Sequence, residues 1–304
     1  ENIMDKAIGS KIADYIIKPV NPNQVLLSIK KNVHQQQLVT EQITADYRAE
    51  FGRITTMCQM ASSFAAWSTL YRKITNWDIE LSESNDTGIK EVLTYQKAEA
   101  NQEFCKFVRR NYYDWINKRA DESEIPVMSH TLMRKRILPE VDSHEKTTLL
   151  LIDNFRYDQW RAISSLLRGY YDVDVDDFYC AILPTATQYA RNAIFSGLMP
   201  NKIAEMFPDL WVDEDEEEGK NLNEAPLIQT QIDRYRRRDT FSYHKINDAQ
   251  GAERLVTQFH QFAGYDLNVV VVNFIDLLSH ARTESKTLRE LAADEAAYRS
   301  VTAT

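Results

Sequence analysis

Three clusters in this chain combine carboxylates, a hydroxyl and an imidazole at spacings that suit metal binding and nucleophilic attack. The first is Asp153, which ends the apolar run Leu149-Leu150-Leu151-Ile152. An aspartate at the carboxyl end of a buried strand emerges at the sheet edge, where open α/β sheets place their ligands, so Asp153 is a candidate metal ligand. The same position also suits a cap for the following helix. The second cluster is Pro184-Thr185-Ala186-Thr187-Gln188-Tyr189-Ala190-Arg191, running on to Ser196-Gly197-Leu198-Met199-Pro200. A secondary alcohol is a poor nucleophile at neutral pH, so Thr187 needs a metal or a base to favour its alkoxide. Thr185 is the expected N-cap of the helix through Arg191 and Ile194. Arg191, one helical turn after Thr187, is placed to donate paired hydrogen bonds to a non-bridging phosphate oxygen, or else to form a helix-surface ion pair. The third cluster is Val269-Val270-Val271-Val272-Asn273-Phe274-Ile275-Asp276, continuing to His280. On a helix, a spacing of four puts Asp276 and His280 on one face, about 6 Å apart at the backbone, which suits one zinc ion or a surface hydrogen bond. Together the three clusters look like the metal and nucleophile stations of a phosphate-cleaving enzyme.

Those residues need strands and helices to hold them. Thr147 to Ile152 and Leu267 to Phe274 are continuous apolar, β-rich runs of the kind buried in a parallel sheet. Helical patterns follow at Tyr157 to Arg168 and at Leu278 to Tyr298, which makes this part an α/β domain. Ahead of it, Asp121 to Pro126 reads as a linker and Met128 to Pro139 as a basic, mixed segment without a clear period. From Leu38 to Lys118 there is no proline, and only Gly52 and Gly88 as glycines. Apolar residues recur there three and four apart: Ile43, Tyr47, Phe51, Ile54, Cys58; then Trp67, Leu70, Ile74, Trp77; then Val92, Phe104, Phe107, Val108, Trp115, Ile116. Three long helices packed as a bundle with an aromatic core are expected. At the start, Asp14 to Pro19 reads as a short buried strand stopped by proline, followed by an amphipathic helix from Asn23 to Val33.

Length and charge narrow the function. A chain of 304 residues implies two or three domains. The net charge of -9 argues against a broad electrostatic grip on nucleic-acid backbone, though metal ions can neutralise a small, deeply held nucleotide locally. The longest apolar run is far short of the roughly 20 residues that cross a bilayer, so no membrane association is expected. Three widely spaced cysteines and a start without signal-peptide layout point to a reducing, cytoplasmic compartment. The acidic block Asp213 to Glu218 and the basic run Arg236-Arg237-Arg238 read as solvated loops, or as a lid or partner surface.

The order strand-Asp, Pro-Thr-x-Thr leading to Gly-Leu-x-Pro, then strand-Asp-x-x-x-His resembles the alkaline phosphatase superfamily, notably its nucleotide phosphodiesterases and its PglZ branch. That resemblance implies two zinc ions (Zn2+) flanking the nucleophile, with Asp153 and Thr187 at one and Asp276 and His280 at the other. Asp14-Tyr15-Ile16-Ile17-Lys18-Pro19-Val20 resembles the last strand and Lys-Pro turn of a response-regulator receiver, with Lys18 at the lysine that contacts the phosphoryl group. The expected layout is a C-terminal receiver remnant (1–35), an all-α helical bundle (36–121) and a PglZ α/β domain (122–304). This order is similar to the response regulators of type IX secretion. It implies a zinc-dependent phosphodiesterase acting on cyclic and linear oligonucleotides, Mg2+ for receiver phosphorylation, a partner histidine kinase, an extracytoplasmic-function (ECF) sigma factor as partner, and a homodimer. The superfamily draws further ligands from an Asp-His pair and a final histidine. No Asp-His dipeptide occurs here, so the domain is expected to be truncated at its C-terminus with an incomplete metal site. The alternatives are a signalling scaffold whose enzyme-like domain only binds a sigma factor or nucleotide, and a phosphomonoesterase or phosphoglycerate-mutase-like enzyme.

Overall fold

The computed structural model describes residues 22–82, 84, 86–144, 146–212, 222–277 and 279. The strand expected at Asp14 to Pro19, Lys18, the acidic block 213–218, His280 and the helix expected from Leu278 to Tyr298 lie outside the described residues, Ser279 excepted. The chain divides into two compact units, Glu1–Arg119 and Ala120–Thr304.

The first unit contains three helices, α1 (Pro22–Met60), α2 (Phe64–Ser82) and α3 (Thr87–Ile116). The helix expected from Asn23 to Val33 is the opening of α1, which begins with proline, a residue already shaped for the first helical position. Asp86 caps α3 by accepting the Ile89 amide at 3.1 Å. Tyr47, Ile54, Leu70 and Leu81 are buried between the helices, and Trp67 packs on Phe104 and Phe107. The Tyr47 hydroxyl donates to Gln96 Oε1 at 2.9 Å, so this fully buried ring is also polar-satisfied. Phe51 and Val92, expected in this core, lie at its surface. Position 51 is only about 40° round the helix from Tyr47, so the exposure of Phe51 follows from where the other two helices pack and not from the period.

The second unit opens with α4 (Ser129–Leu132), a π-helical turn (Met133–Ile137) and α5 (Leu138–Ser143), which occupy the segment without a clear period. Next come β1 (Thr147–Ile152), α6 (Tyr157–Leu167), α7 (Thr187–Ser196) and α8 (Pro200–Met206). The chain continues through α9 (Glu224–Arg234), β2 (Phe241–Ile246), α10 (Ala249–Gln258) and β3 (Leu267–Val272). The described strands form one parallel sheet in the order β1-β3-β2, with Ile152 and Ile246 both opposite Val272. Its core joins Val269 and Val271 of β3 to Ile194 and Phe195 of α7 and to Leu227 and Ile228 of α9.

β3 stops at Val272, two residues before the end of its apolar run, and residues 274–277 are helical. β2 has no apolar run to announce it. It forms because its polar side chains find partners: Tyr243 and Lys245 reach Glu224, and His244 stacks on Phe262 with ring centroids 4.2 Å apart. Of the basic run, Arg237 is paired with Asp142 at 2.6 Å and with Asp239. No described helix is long and apolar enough to cross a membrane.

Candidate active site at the carboxyl edge of the sheet

Parallel strands in register end together, so the residue after each of them arrives at one edge: Asp153, Asn247 and Asn273. The Asp153 amide donates to the Val272 carbonyl at 2.9 Å, and the Asn273 amide to that of Ile246 at 2.8 Å. The Asn273 side chain then donates to Asn247 Oδ1 at 3.0 Å. These bonds extend the ladder by one residue past the strands and fix where the side chains leave the backbone.

Asp153 does not cap α6, whose N-cap position is Arg156. Its Oδ1 accepts the Asn154 amide at 3.1 Å, an arrangement in which Asn154 takes the left-handed conformation that asparagine tolerates (φ 58°). Its Oδ2 accepts from Arg191 Nη1 at 2.7 Å. A carboxylate has about four lone-pair sites, so both oxygens keep acceptor capacity.

Thr187 is half-buried at the first position of α7. Ala186, not Thr185, holds the N-cap position, no side chain caps the helix, and Thr185 is exposed in the irregular segment before it. A helix start of this kind directs amide donors and the positive end of the helix dipole at an anion beside Thr187. Gly197 ends the helix in the left-handed conformation (φ 65°), with Gln231 so close that a Cβ would overlap it.

One turn beyond Thr187, Arg191 points into the protein with a side chain only 4% exposed. Its Nη1 donates to Asp153 Oδ2 and, at 3.0 Å, to Asn273 Oδ1; its Nε donates to Glu224 Oε1. Glu224, the first residue of α9, is fully buried. It also accepts from the Tyr243 hydroxyl and lies 3.5 Å from Lys245 Nζ. The guanidinium thus ties two strand ends to the start of a helix.

The electrostatics show what the edge wants. Burial raises the pKa of Asp153; the Arg191 charge opposes this, while the Asp276 and Glu224 carboxylates raise it further. Burial and the Asp153 charge likewise raise the Tyr179 hydroxyl. Asp276, half-buried one turn into the helical segment after β3, is therefore within electrostatic reach of Asp153. Asp153, with acceptor capacity to spare, and Asp276 within its electrostatic reach are oxygen donors of the kind that divalent cations accept. Among the described residues, no three His, Cys, Asp or Glu side chains group as a metal site.

The structure thus brings Asp153, Arg191 and Asp276 to one edge, with Thr187 opening the helix that supplies Arg191. Glu224, Tyr243, Lys245 and Asn273 join them without having been expected. Asn273 had a signal, since it stands where its apolar run breaks, as Asp153 does. Glu224 had none: it lies in the polar stretch Asn221-Leu222-Asn223-Glu224 and gains its role only by folding.

Two family models match the chain. That of the BREX system PglZ alkaline phosphatase-like domain matches residues 132–303, and that of the PorX response regulator linker domain matches residues 37–116. No curated protein compared with the chain matches it.

Proposed function

Since the chain belongs to the PglZ alkaline phosphatase-like family, we propose that it is a response regulator of type IX secretion whose PglZ domain is a zinc-dependent phosphodiesterase on cyclic and linear oligonucleotides. The PorX-type linker ahead of that domain supports the regulatory half of this reading. What supports the enzymatic half is that Asp153 stands at the carboxyl edge of the sheet within electrostatic reach of Asp276, and is bonded to Arg191 of the helix that Thr187 opens.

Thr187 is the nucleophile in this scheme. It forms the bond to phosphorus and gives up its proton as the leaving alkoxide departs; water then attacks the phosphothreonine and frees the enzyme. Asp153 and Thr187 would hold one metal, Asp276 and His280 the other. Bound zinc would supply a lowered pKa at the attacking hydroxyl and a counter-charge for the departing oxygen. The amides at the start of α7 orient the phosphate, and the buried sheet edge keeps the carboxylates fixed while the substrate binds. On the regulatory side, Lys18 contacts the receiver phosphoryl group, which a histidine kinase supplies with Mg2+. An ECF sigma factor binds the homodimer.

The test is hydrolysis of bis-nitrophenyl phosphate by the protein at its natural full length, with and without zinc, beside Thr187→Ala. The expected result is zinc-dependent turnover that falls by at least about 1,000-fold in the variant. Full activity in Thr187→Ala would remove the nucleophile assignment. Zinc binding without turnover in the wild type would favour a scaffold that uses the domain for binding alone.

A further inference from the structure

We propose that Glu224 is a positioning residue for Asp153, acting through Arg191, so that the start of α9 sets the geometry of the metal ligand. The inference rests on the reading of Asp153 as a ligand. Its basis is the way one guanidinium is divided. Nε is committed to Glu224, and Nη1 lies between Asp153 Oδ2 and Asn273 Oδ1 at 2.7 and 3.0 Å.

A guanidinium is a rigid planar fork, so anchoring Nε decides the direction of Nη1. With that anchor, Arg191 Nη1 meets Asp153 at Oδ2, and the Asn154 amide meets Oδ1 at 3.1 Å. The carboxylate is then held at two points with lone pairs to spare. Without the anchor, the fork can turn and take both Asp153 oxygens in a bidentate pair, the geometry that arginine and carboxylate prefer. That pairing competes directly with a cation for the same lone pairs.

Glu224 is itself held rather than mobile. It is fully buried and accepts from Arg191 and the Tyr243 hydroxyl, with Lys245 Nζ 3.5 Å away. Two cationic side chains around a buried carboxylate exceed what charge balance for that residue alone requires. The surplus is answered by Asp153 on the far side of Arg191. Partners of this kind, one step removed from the metal, orient ligands in metalloproteins, and their loss costs about 10- to 100-fold in metal affinity.

The test uses the full chain and cobalt(II) as a visible probe of coordination, with zinc as competitor. The variants are Glu224→Gln, which keeps the shape and removes the charge, and Arg191→Lys, which keeps the charge and removes the fork. Asp153→Asn is the control. The expected result is cobalt binding in the wild type that Asp153→Asn abolishes and that Glu224→Gln and Arg191→Lys weaken by about 10- to 100-fold. The cobalt spectrum at saturation should also differ in those two variants, which a merely structural role would not cause. Should Glu224→Gln not fold, Arg191→Lys carries the same test. Variants that melt lower yet bind cobalt with the wild-type affinity and spectrum would overturn this inference and leave the site reading intact. A wild type that binds no cobalt, or an Asp153→Asn protein that binds it normally, would overturn the site reading and this inference with it.

Discussion

Arg191 takes a permanent positive charge to a place almost closed to water, and three acceptors there share its cost. Buried ion pairs gain little over a well-packed apolar core, but removing one partner strands the other. Arg191→Ala should therefore destabilise the protein by about 3–5 kcal/mol, read as a shift in the urea unfolding midpoint, because Glu224 would lose its closest cation. A loss below about 1 kcal/mol would mean that Lys245 and Tyr243 suffice to hold Glu224. At this scale, sequence revealed residue types and little of their company. Asp153, Thr187 and Arg191 stood out by position, whereas the carboxylate that engages Arg191 lies 33 residues further along and carries no pattern.

Among the elements, α7 is the one that the site depends on most. It starts without a side-chain cap and ends on Gly197 in the left-handed conformation, against Gln231 of α9. Gly197→Ala should cost about 1–2 kcal/mol from backbone conformation alone. The overlap with Gln231 adds to that, so the unfolding midpoint should fall, whereas an alanine at the helical Gly52, where a Cβ meets nothing, should raise it. β2 and β3 are joined at their starts by Asp266, which accepts from the Thr240 amide and hydroxyl, each at 2.8 Å. Those bonds lower its pKa below the ordinary 3.8. The depressed folded value means that the contribution is present above the unfolded pKa and fades as pH falls through the folded one. The stability gap between wild type and Asp266→Asn should thus stay constant near neutrality and close below about pH 4, as measured by urea midpoints across that range. A gap that did not change with pH would show that the carboxylate charge contributes nothing there.

For the whole molecule, the consequence of a metal at this edge is thermodynamic. A ligand bound only by the native state stabilises it by mass action, about 2.7 kcal/mol at 100 times Kd. Calorimetry should accordingly show zinc raising an unfolding transition of the wild type, chelator returning it, and Asp153→Asn abolishing the shift. The excess of acidic over basic residues, 45 against 36, bears on the proposed reaction, since a protein of this charge would repel an anionic substrate in bulk. On that reading, cations held at the site would reverse the field there.

How much could be read in advance follows from the range of the interactions. The long helices of the first unit, the apolar strands β1 and β3, the helix after β1 and the aspartate at the strand end were all legible, because hydrophobic periodicity and run length are local. β2 was not, since its polar side chains meet Glu224 and Phe262 from other elements, and neither was the escape of Phe51 from the core, which depends on how the three helices face one another. The chain by itself determined which residues stand at the ends of its strands. Tertiary structure decided which of them meet, because parallel register and one buried guanidinium bring together side chains that are far apart in sequence.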